Sequence, residues 1–377
     1  MKEKKILVAL SGGVDSSVAV HLLADAGYEV GGATMKFHIS TTVDKTQEEN
    51  VTAAREICEM LGVPHYVFDF TDTFKKNVLD YFVQSYENAE TPNPCYVCNR
   101  TVKFGAFLEA AERLGYPFVA TGHYAKVQYD ANLSRYRLFA SGDTGKDQSY
   151  FLSGLNQTQL SKIIFPLRDL TKPEVKKIAA EKKLAVAEKK ESQDICFVEN
   201  SDYAKVIERF STKKMEPGNF YTSDGKIVGT HRGIFRYTIG QRRGLHVSLG
   251  EPVYVLEKNK NTNSIIVAKR EALYCKRLRA GNLNIIAGEI LEKLKTDDLT
   301  LTAKTRYRST AKKCVVEKIA PEFFETSGST VLKKDALLTV HFLEKDFAVA
   351  IGQVLVLYDG DEVLASGIIC ETVTEAI

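Results

Sequence analysis

The sequence predicts an α/β chain in which an N-terminal doubly wound parallel sheet is followed by two small β-rich domains, the last of them a β-barrel. Three observations predict it. Short apolar runs alternate with helical periodicity through the first half. The first of these runs, residues 6–10, opens into a paired-glycine turn and then a helical pattern. After about residue 200 the pattern changes to short alternating runs separated by turn residues.

Strand patterns at 5–10, 29–35, 65–70 and 117–121 alternate with helical patterns at 16–26, 47–61, 73–87 and 102–114. Gly27, Gly62 and Gly115 stand where C-terminal caps belong. Thr171-Lys172-Pro173-Glu174 joins a capping box to an early proline, so a further helix starts there. In the second half, strands are expected at 252–256, 264–268, 299–304, 336–342 and 353–358, with Asp359-Gly360-Asp361 as a turn. Boundaries near 204 and 282 divide the chain into 1–203, 204–281 and 282–377.

The 377 residues, 44% of them hydrophobic, suffice for two or three separate cores. A net charge of +3 does not announce a nucleic-acid binder. No run of 18 apolar residues occurs, and Lys2-Glu3-Lys4-Lys5 leads into a short strand rather than a signal peptide. A soluble, cytoplasmic protein with no membrane partner is expected. Seven cysteines, an odd number, fit reactive or metal-bound thiols in a reducing compartment better than a disulfide framework.

Leu10-Ser11-Gly12-Gly13-Val14-Asp15-Ser16-Ser17 reads as a phosphate cradle. Gly12 and Gly13 tolerate positive φ and carry no Cβ, so their N–H groups can face one concavity. Ser11, Ser16 and Ser17 add hydroxyl donors, and the following helix points its positive end at the same spot. Asp15 repels phosphate unless Mg2+ lies between them. Neither G-x-x-x-x-G-K-[ST] nor G-x-G-x-x-G is present, so this is a nucleotide loop of another kind. Ser11 to Ser16 resembles the PP-loop of the ATP pyrophosphatases, which implies adenylation of a substrate oxygen and release of pyrophosphate.

Cys95 and Cys98 form a C-x-x-C unit in a Pro/Asn-rich loop, with Cys196 about a hundred residues on. Such a unit suits redox chemistry, a zinc half-site or a cluster half-site. Ile195-Cys196-Phe197-Val198 also reads as a strand. Cys58, Cys275, Cys314 and Cys370 are expected to be buried small hydrophobes.

The blocks Thr91 to Asn99, Lys103-Phe104, Thr121 to Ala125, Lys146 to Tyr150, Ser192 to Phe197, Tyr237 to Gly244 and Arg306 to Arg308 are similar to the tRNA-specific 2-thiouridylases, the MnmA/TrmU family, in family order over nearly the whole chain. The resemblance implies ATP and Mg2+ as cofactors, with Ala9, Leu10, Ser11, Gly12, Gly13, Val14, Asp15, Ser16, Met35 and Gly122 around the nucleotide. It implies that Cys196 carries sulfur as a persulfide and that Cys98 is the nucleophile, able to pair with Cys196 in a disulfide, while Asn93, Pro94 and Cys95 contact the target base. A tRNA with a modifiable wobble uridine is the implied substrate. A sulfur-donating protein, a cysteine desulfurase or a relay carrier, is the implied partner.

Two departures stand out. One form of the family carries aspartate at the position of Cys95, and the loop 36–45 lacks a cysteine-containing acidic insertion. Cysteine at 95 makes Cys95, Cys98 and Cys196 candidate ligands of a [4Fe–4S] cluster, resembling the three-cysteine thiolases among PP-loop enzymes. The competing account is a cluster-free persulfide relay.

His123, Lys146, Asp147, Gln148, Arg242, Arg243, Arg306, Tyr307 and Gln353 are the tRNA contacts that the resemblance implies. The residues themselves support a basic side: 231–246 interleaves Arg232, Arg236, Arg242 and Arg243 with Phe235 and Tyr237 and holds no acid. Lys269, Arg270, Lys276, Arg277, Arg279 and Arg308 extend it. The expected function is therefore tRNA 2-thiouridine synthesis. A small-molecule PP-loop synthetase would leave the cysteines unused, and a non-catalytic tRNA binder would leave the loop unused.

Overall fold

The computed structural model describes residues 4–188, 195–199, 202–320, 324–325 and 331–374. The expected motif residues Ser192, Gln193 and Asp194 lie outside them. The chain divides into two compact units, neither of them a single stretch. The first joins residues 1–78, 95–199 and 361–363, and the second joins 79–94, 200–360 and 364–377.

The first unit is built on a parallel sheet. Strands β1 (Lys5–Ala9), β2 (Glu29–Lys36), β3 (His65–Asp69) and β4 (Phe118–Ala120), with the short strand Ile163–Ile164, lie in the order β3, β2, β1, β4, then 163–164. β1 is central and covered on both faces, which is why Ile6, Leu7 and Val8 form an unbroken apolar run, each fully buried. Helices α1 (Val14–Asp25) and α2 (Thr41–Leu61) follow β1 and β2. Val18, Ala19, Leu23, Ala54 and Ile57 of these helices share one core with Ile6 and Val8. Gly27, Gly62 and Gly115 take positive φ at the expected helix ends.

Two helices start earlier than periodicity indicates. α2 begins at Thr41 rather than 47, because the Ser40 hydroxyl accepts from Val43 N and caps a polar first turn with no apolar stripe. The helical run expected from 102 begins at Pro94, since proline suits a first helical position. Cys95 and Cys98 therefore stand three residues apart on a helix rather than in a loop. Downstream, residues Asn99–Ala106 are wound as a π-helix. Cys196 lies in a turn, not a strand.

In the second unit, strands Tyr254–Asn259, Ser264–Ala268, Gly218–Tyr221 and Ile227–His231 form a small sheet in that spatial order. Six further strands close into an antiparallel barrel in the order Tyr274–Ile285, Leu338–Phe347, Lys312–Val316, Leu299–Lys304, Val354–Asp359 and Glu362–Thr374, the last pairing back to the first. Cys275, Cys314 and Phe342 point into its core. Cys58 is likewise buried against the first sheet. Cys370 corrects the expectation: alternation along its strand sends Ile369 inward and Cys370 outward, exposed, with its thiol donating to Arg279 O. Among the described residues no helix is long and apolar enough to cross a membrane.

Candidate active site

β1 ends at Ala9, and Leu10 N still donates to Ala33 O of β2 at 2.7 Å. β2 and β3 extend the sheet to one side and β4 to the other, so the chain end of β1 is a topological switch point, where doubly wound sheets bind ligands. Ala9, Leu10 and Val14 are buried walls there, and Met35 is half-buried near the end of β2.

The two glycines of the turn do different things. Gly12 has φ +65°, and a Cβ on it would stand 2.8 Å from the Asn50 backbone. Gly13 does not take the positive φ expected of it. It is extended, with φ −110°, and a Cβ there would meet only Ser11 Oγ, at 3.4 Å. Gly12 is thus required by the protein's own packing, whereas Gly13 leaves open space before α1. Gly122, just after β4, closes the other side, since a Cβ there would fall 2.6 Å from Ser16 N and 2.7 Å from Asp15 C. The serines are more local than expected. Ser16 Oγ and Ser17 Oγ donate to Gly13 O at 3.2 and 2.8 Å, and Ser11 N donates to Ser16 Oγ. These hydroxyls shape the loop, and the backbone N–H groups at the start of α1 are left for an anion. The arrangement fits a nucleotide polyphosphate.

Asp15 is held from two directions. Tyr124 Oη donates to its Oδ1 at 2.7 Å, and Lys172 Nζ reaches Oδ1 and Oδ2 at 2.7 and 2.8 Å. Sequence reasoning took Lys172 only as part of a helix start. No local signal links two residues 157 positions apart. A Mg2+ ion, which typically uses one or two carboxylates together with phosphate oxygens, would find its protein ligand in Asp15.

The cysteines gather in the same unit. Burial pushes the Cys98 thiol up to about 11 and raises that of Cys95, with Lys103 pulling both back. Desolvation, then Cys98 and Cys95, push the Cys196 thiol up to about 12. Cys196 is exposed in its turn, and the three thiols lie close enough to feel one another's charge. Lys103, which sequence reasoning left inside a motif without a role, is the cation whose charge reaches all three cysteines. Its ammonium also acts on His123, whose imidazole is kept neutral first by burial and then by this charge. His123 Nδ1 pairs with Thr121 Oγ1 at 2.6 Å, and its ring lies between Phe104 and Phe165. Among the described residues no three His, Cys, Asp or Glu side chains form a metal-holding group. Cys95, Cys98 and Cys196 as arranged do not fit the expected [4Fe–4S] ligand set, and no step below is routed through a cluster.

Several expected RNA contacts face inward. Asp147 is buried, its oxygens accepting from Ser141 N, Ser149 N and Ser149 Oγ, while Gln148 Oε1 accepts from Tyr124 N. Lys146 is half-buried in the same turn. In the second unit, Gln353 Nε2 donates to Thr91 O and Pro92 O, bracing the segment that leads to buried Asn93 and to Pro94. Arg236, Lys269 and Arg279 are committed to Glu208, Glu251 and Glu371. Arg242 and Arg243 are exposed and make no ion pair among the described residues, and Arg306 and Tyr307 are half-buried.

Two outcomes follow from this geometry. Gly12→Ala should lower stability by about 1–3 kcal/mol through its left-handed backbone, while Gly13→Ala should melt like the parent yet bind ATP at least roughly tenfold more weakly; calorimetry and equilibrium dialysis read both, and equal ATP affinity in Gly13→Ala would contradict an open phosphate cradle. Alkylation of Cys98 by iodoacetamide should rise about tenfold per pH unit above pH 7 and level off near 11, because only the thiolate reacts and its pKa is raised. Lys103→Met should slow the reaction at every pH below that plateau, and an unchanged rate would remove the role given to Lys103.

Comparison with known proteins agrees along the whole chain. Residues 4–200 match the tRNA methyl transferase HUP domain, 204–269 the tRNA methyl transferase PRC-barrel domain and 275–369 the aminomethyltransferase beta-barrel domain. A tRNA-specific 2-thiouridylase MnmA of Treponema denticola is 42% identical over 368 residues, 97% of each chain. One from Acetivibrio thermocellus is 40% identical over 376 residues, 98% of this chain and all of that one. A solved U34-tRNA thiolase NcsA from Methanococcus maripaludis with its [4Fe–4S] cluster aligns over 55% of this chain and 66% of that one at 20% identity, with a TM-score of 0.35, too slight a likeness to bring its cluster here. With identity of this extent to the curated relatives, the chain belongs to the tRNA-specific 2-thiouridylase MnmA family and is a tRNA sulfurtransferase.

Proposed function

We propose that the chain makes 2-thiouridine at the tRNA wobble position by adenylating the C2 oxygen and replacing it with sulfur relayed through Cys196 and Cys98. The observation that carries this reading is the gathering of Cys95, Cys98 and Cys196 around Lys103 in the unit that holds the glycine loop. Uridine needs activation because its C2 oxygen is a poor leaving group. ATP lies along the loop, the C2 oxygen attacks the α-phosphorus, and pyrophosphate departs. Asp15 would hold Mg2+, which would supply charge neutralisation at the phosphates.

A donor protein first leaves a sulfane sulfur on Cys196, giving Cys196–S–S⁻. Its terminal sulfur attacks C2 and AMP leaves with the original C2 oxygen. The Cys98 thiolate then attacks Cys196 Sγ, and the S–S bond to the transferred sulfur breaks, leaving sulfur on C2 and a Cys98–Cys196 disulfide. An external dithiol returns the pair to thiols with two electrons and two protons. Lys103 favours the Cys98 thiolate against its burial, and Cys95 sits beside it as a base contact. The target base must leave the anticodon stack to reach these groups. Exposed Arg242 and Arg243, with Arg306, Tyr307 and the 204–281 and 282–377 segments, supply phosphate contacts to the tRNA.

Cys98→Ser and Cys196→Ser should each bind ATP and tRNA like the parent and lose 2-thiouridine formation, by nucleoside mass spectrometry, while Cys58→Ser and Cys314→Ser keep it. Parental thiolation by Cys196→Ser would overturn the relay. ADP as the product would overturn the adenylation reading, whereas AMP-forming turnover without tRNA would point to a small-molecule PP-loop synthetase.

A further inference from the structure

The helix that carries Cys98 changes register directly after it: Pro94–Cys98 is α-helical and Asn99–Ala106 is wound as a π-helix. We propose that Gln159 is a positioning residue for sulfur transfer, its amide holding the wide register that turns Lys103 onto the face of Cys98. This rests on the relay through Cys98 and Cys196 proposed above.

In an α-helix the neighbours of Cys98 on its own face would be Thr101 and Val102, three and four places on. A π-helix bonds residues five places apart, as Phe107 N does to Val102 O, so Lys103 is the residue brought back toward Cys98. The charge of Lys103 accordingly reaches Cys98 and Cys95 alike, while Val102 and Phe104 on either side of it are fully buried. Such a register is rare, so something must favour it here. Two side chains do. Thr101 Oγ1 donates to Val97 O at 2.8 Å, where the α-register stops. Gln159 Nε2 donates to Arg100 O at 2.9 Å and to Phe104 O at 2.7 Å, so one amide ties together the two turns between which Lys103 lies. A Cβ on Gly105 would stand 3.2 Å from the same Arg100 oxygen, which shows how closely the wide turn closes on it. Gln159 is itself fixed by its other atoms. Its Oε1 accepts from Asn156 N at 3.0 Å and its N donates to Asn156 Oδ1 at 2.9 Å, the capping box of helix Gln157–Leu160. The acceptor thus serves its own helix and the donors serve the π-helix.

Gln159→Met removes both donors from a half-buried side chain without emptying a core. Alkylation of Cys98 by iodoacetamide at pH 8, read by peptide mass spectrometry, should then slow roughly threefold or more, because the ammonium leaves the Cys98 face. General loosening would do the opposite, since it exposes a buried thiol. Adding Lys103→Met should change nothing further, although it slows the reaction in the parent. Asn156→Ala weakens the same cap but leaves Gln159 Nε2 in place, so it should lower the melting temperature and keep the parental alkylation rate. In thiolation, Gln159→Met should lose roughly tenfold in kcat with KM for ATP unchanged. A parental or faster alkylation rate in Gln159→Met, a further loss on adding Lys103→Met, or an equal slowing in Asn156→Ala would make Gln159 a structural cap and overturn the proposal. A parent protein that forms no 2-thiouridine with ATP, tRNA and a sulfur donor would instead defeat the relay, and the alkylation rates would still report the register.

Discussion

The close approach of two backbones at the end of the central strands constrains the rest of the first unit. Gly122 after β4 packs against the Asp15–Ser16 peptide with no room for a Cβ, and Gly12 does the same against Asn50. These contacts fix where α1 begins, and so where its free N–H groups point. They also set the height of Asp15, which decides that Tyr124 and Lys172 can reach it. Chemistry at this spot depends on backbone placement first and on side chains second.

The sulfur centre follows a different logic. A cysteine thiol is already mostly protonated at neutral pH; burial strengthens this at Cys95 and Cys98, and a single lysine pulls all three thiols back. A resting enzyme with protonated thiols resists adventitious oxidation, since the thiolate is the reactive form. The same lysine helps keep His123 neutral, leaving that imidazole a hydrogen-bonding wall rather than a charged RNA contact.

The strands and helix ends of the first half were legible because period-2 and period-3.6 patterns alternate there and glycines mark the caps. The helical position of Cys95 and Cys98 was not, since Pro-Asn-Pro-Cys has the composition of a loop and the proline sits at the one helical position that tolerates it. Cys370 was misplaced for a related reason: Ile368-Ile369-Cys370 reads as an apolar run, and only the barrel's alternation separates the inward Ile369 from the outward Cys370. At the site, the glycine loop announced itself, but the separate duties of Gly12 and Gly13 depend on Asn50, and the partner of Asp15 depends on Lys172. Contacts between residues so far apart in sequence leave no periodic trace.

The central claim is that the glycine loop and the cysteines serve one reaction at C2 of uridine, and isotope tracing tests it most directly. A tRNA carrying 18O at the C2 oxygen of the wobble uridine, incubated with ATP, the enzyme and a sulfur donor, should yield AMP with one 18O per 2-thiouridine formed. Unlabelled AMP alongside thiolated tRNA would contradict adenylation of that oxygen.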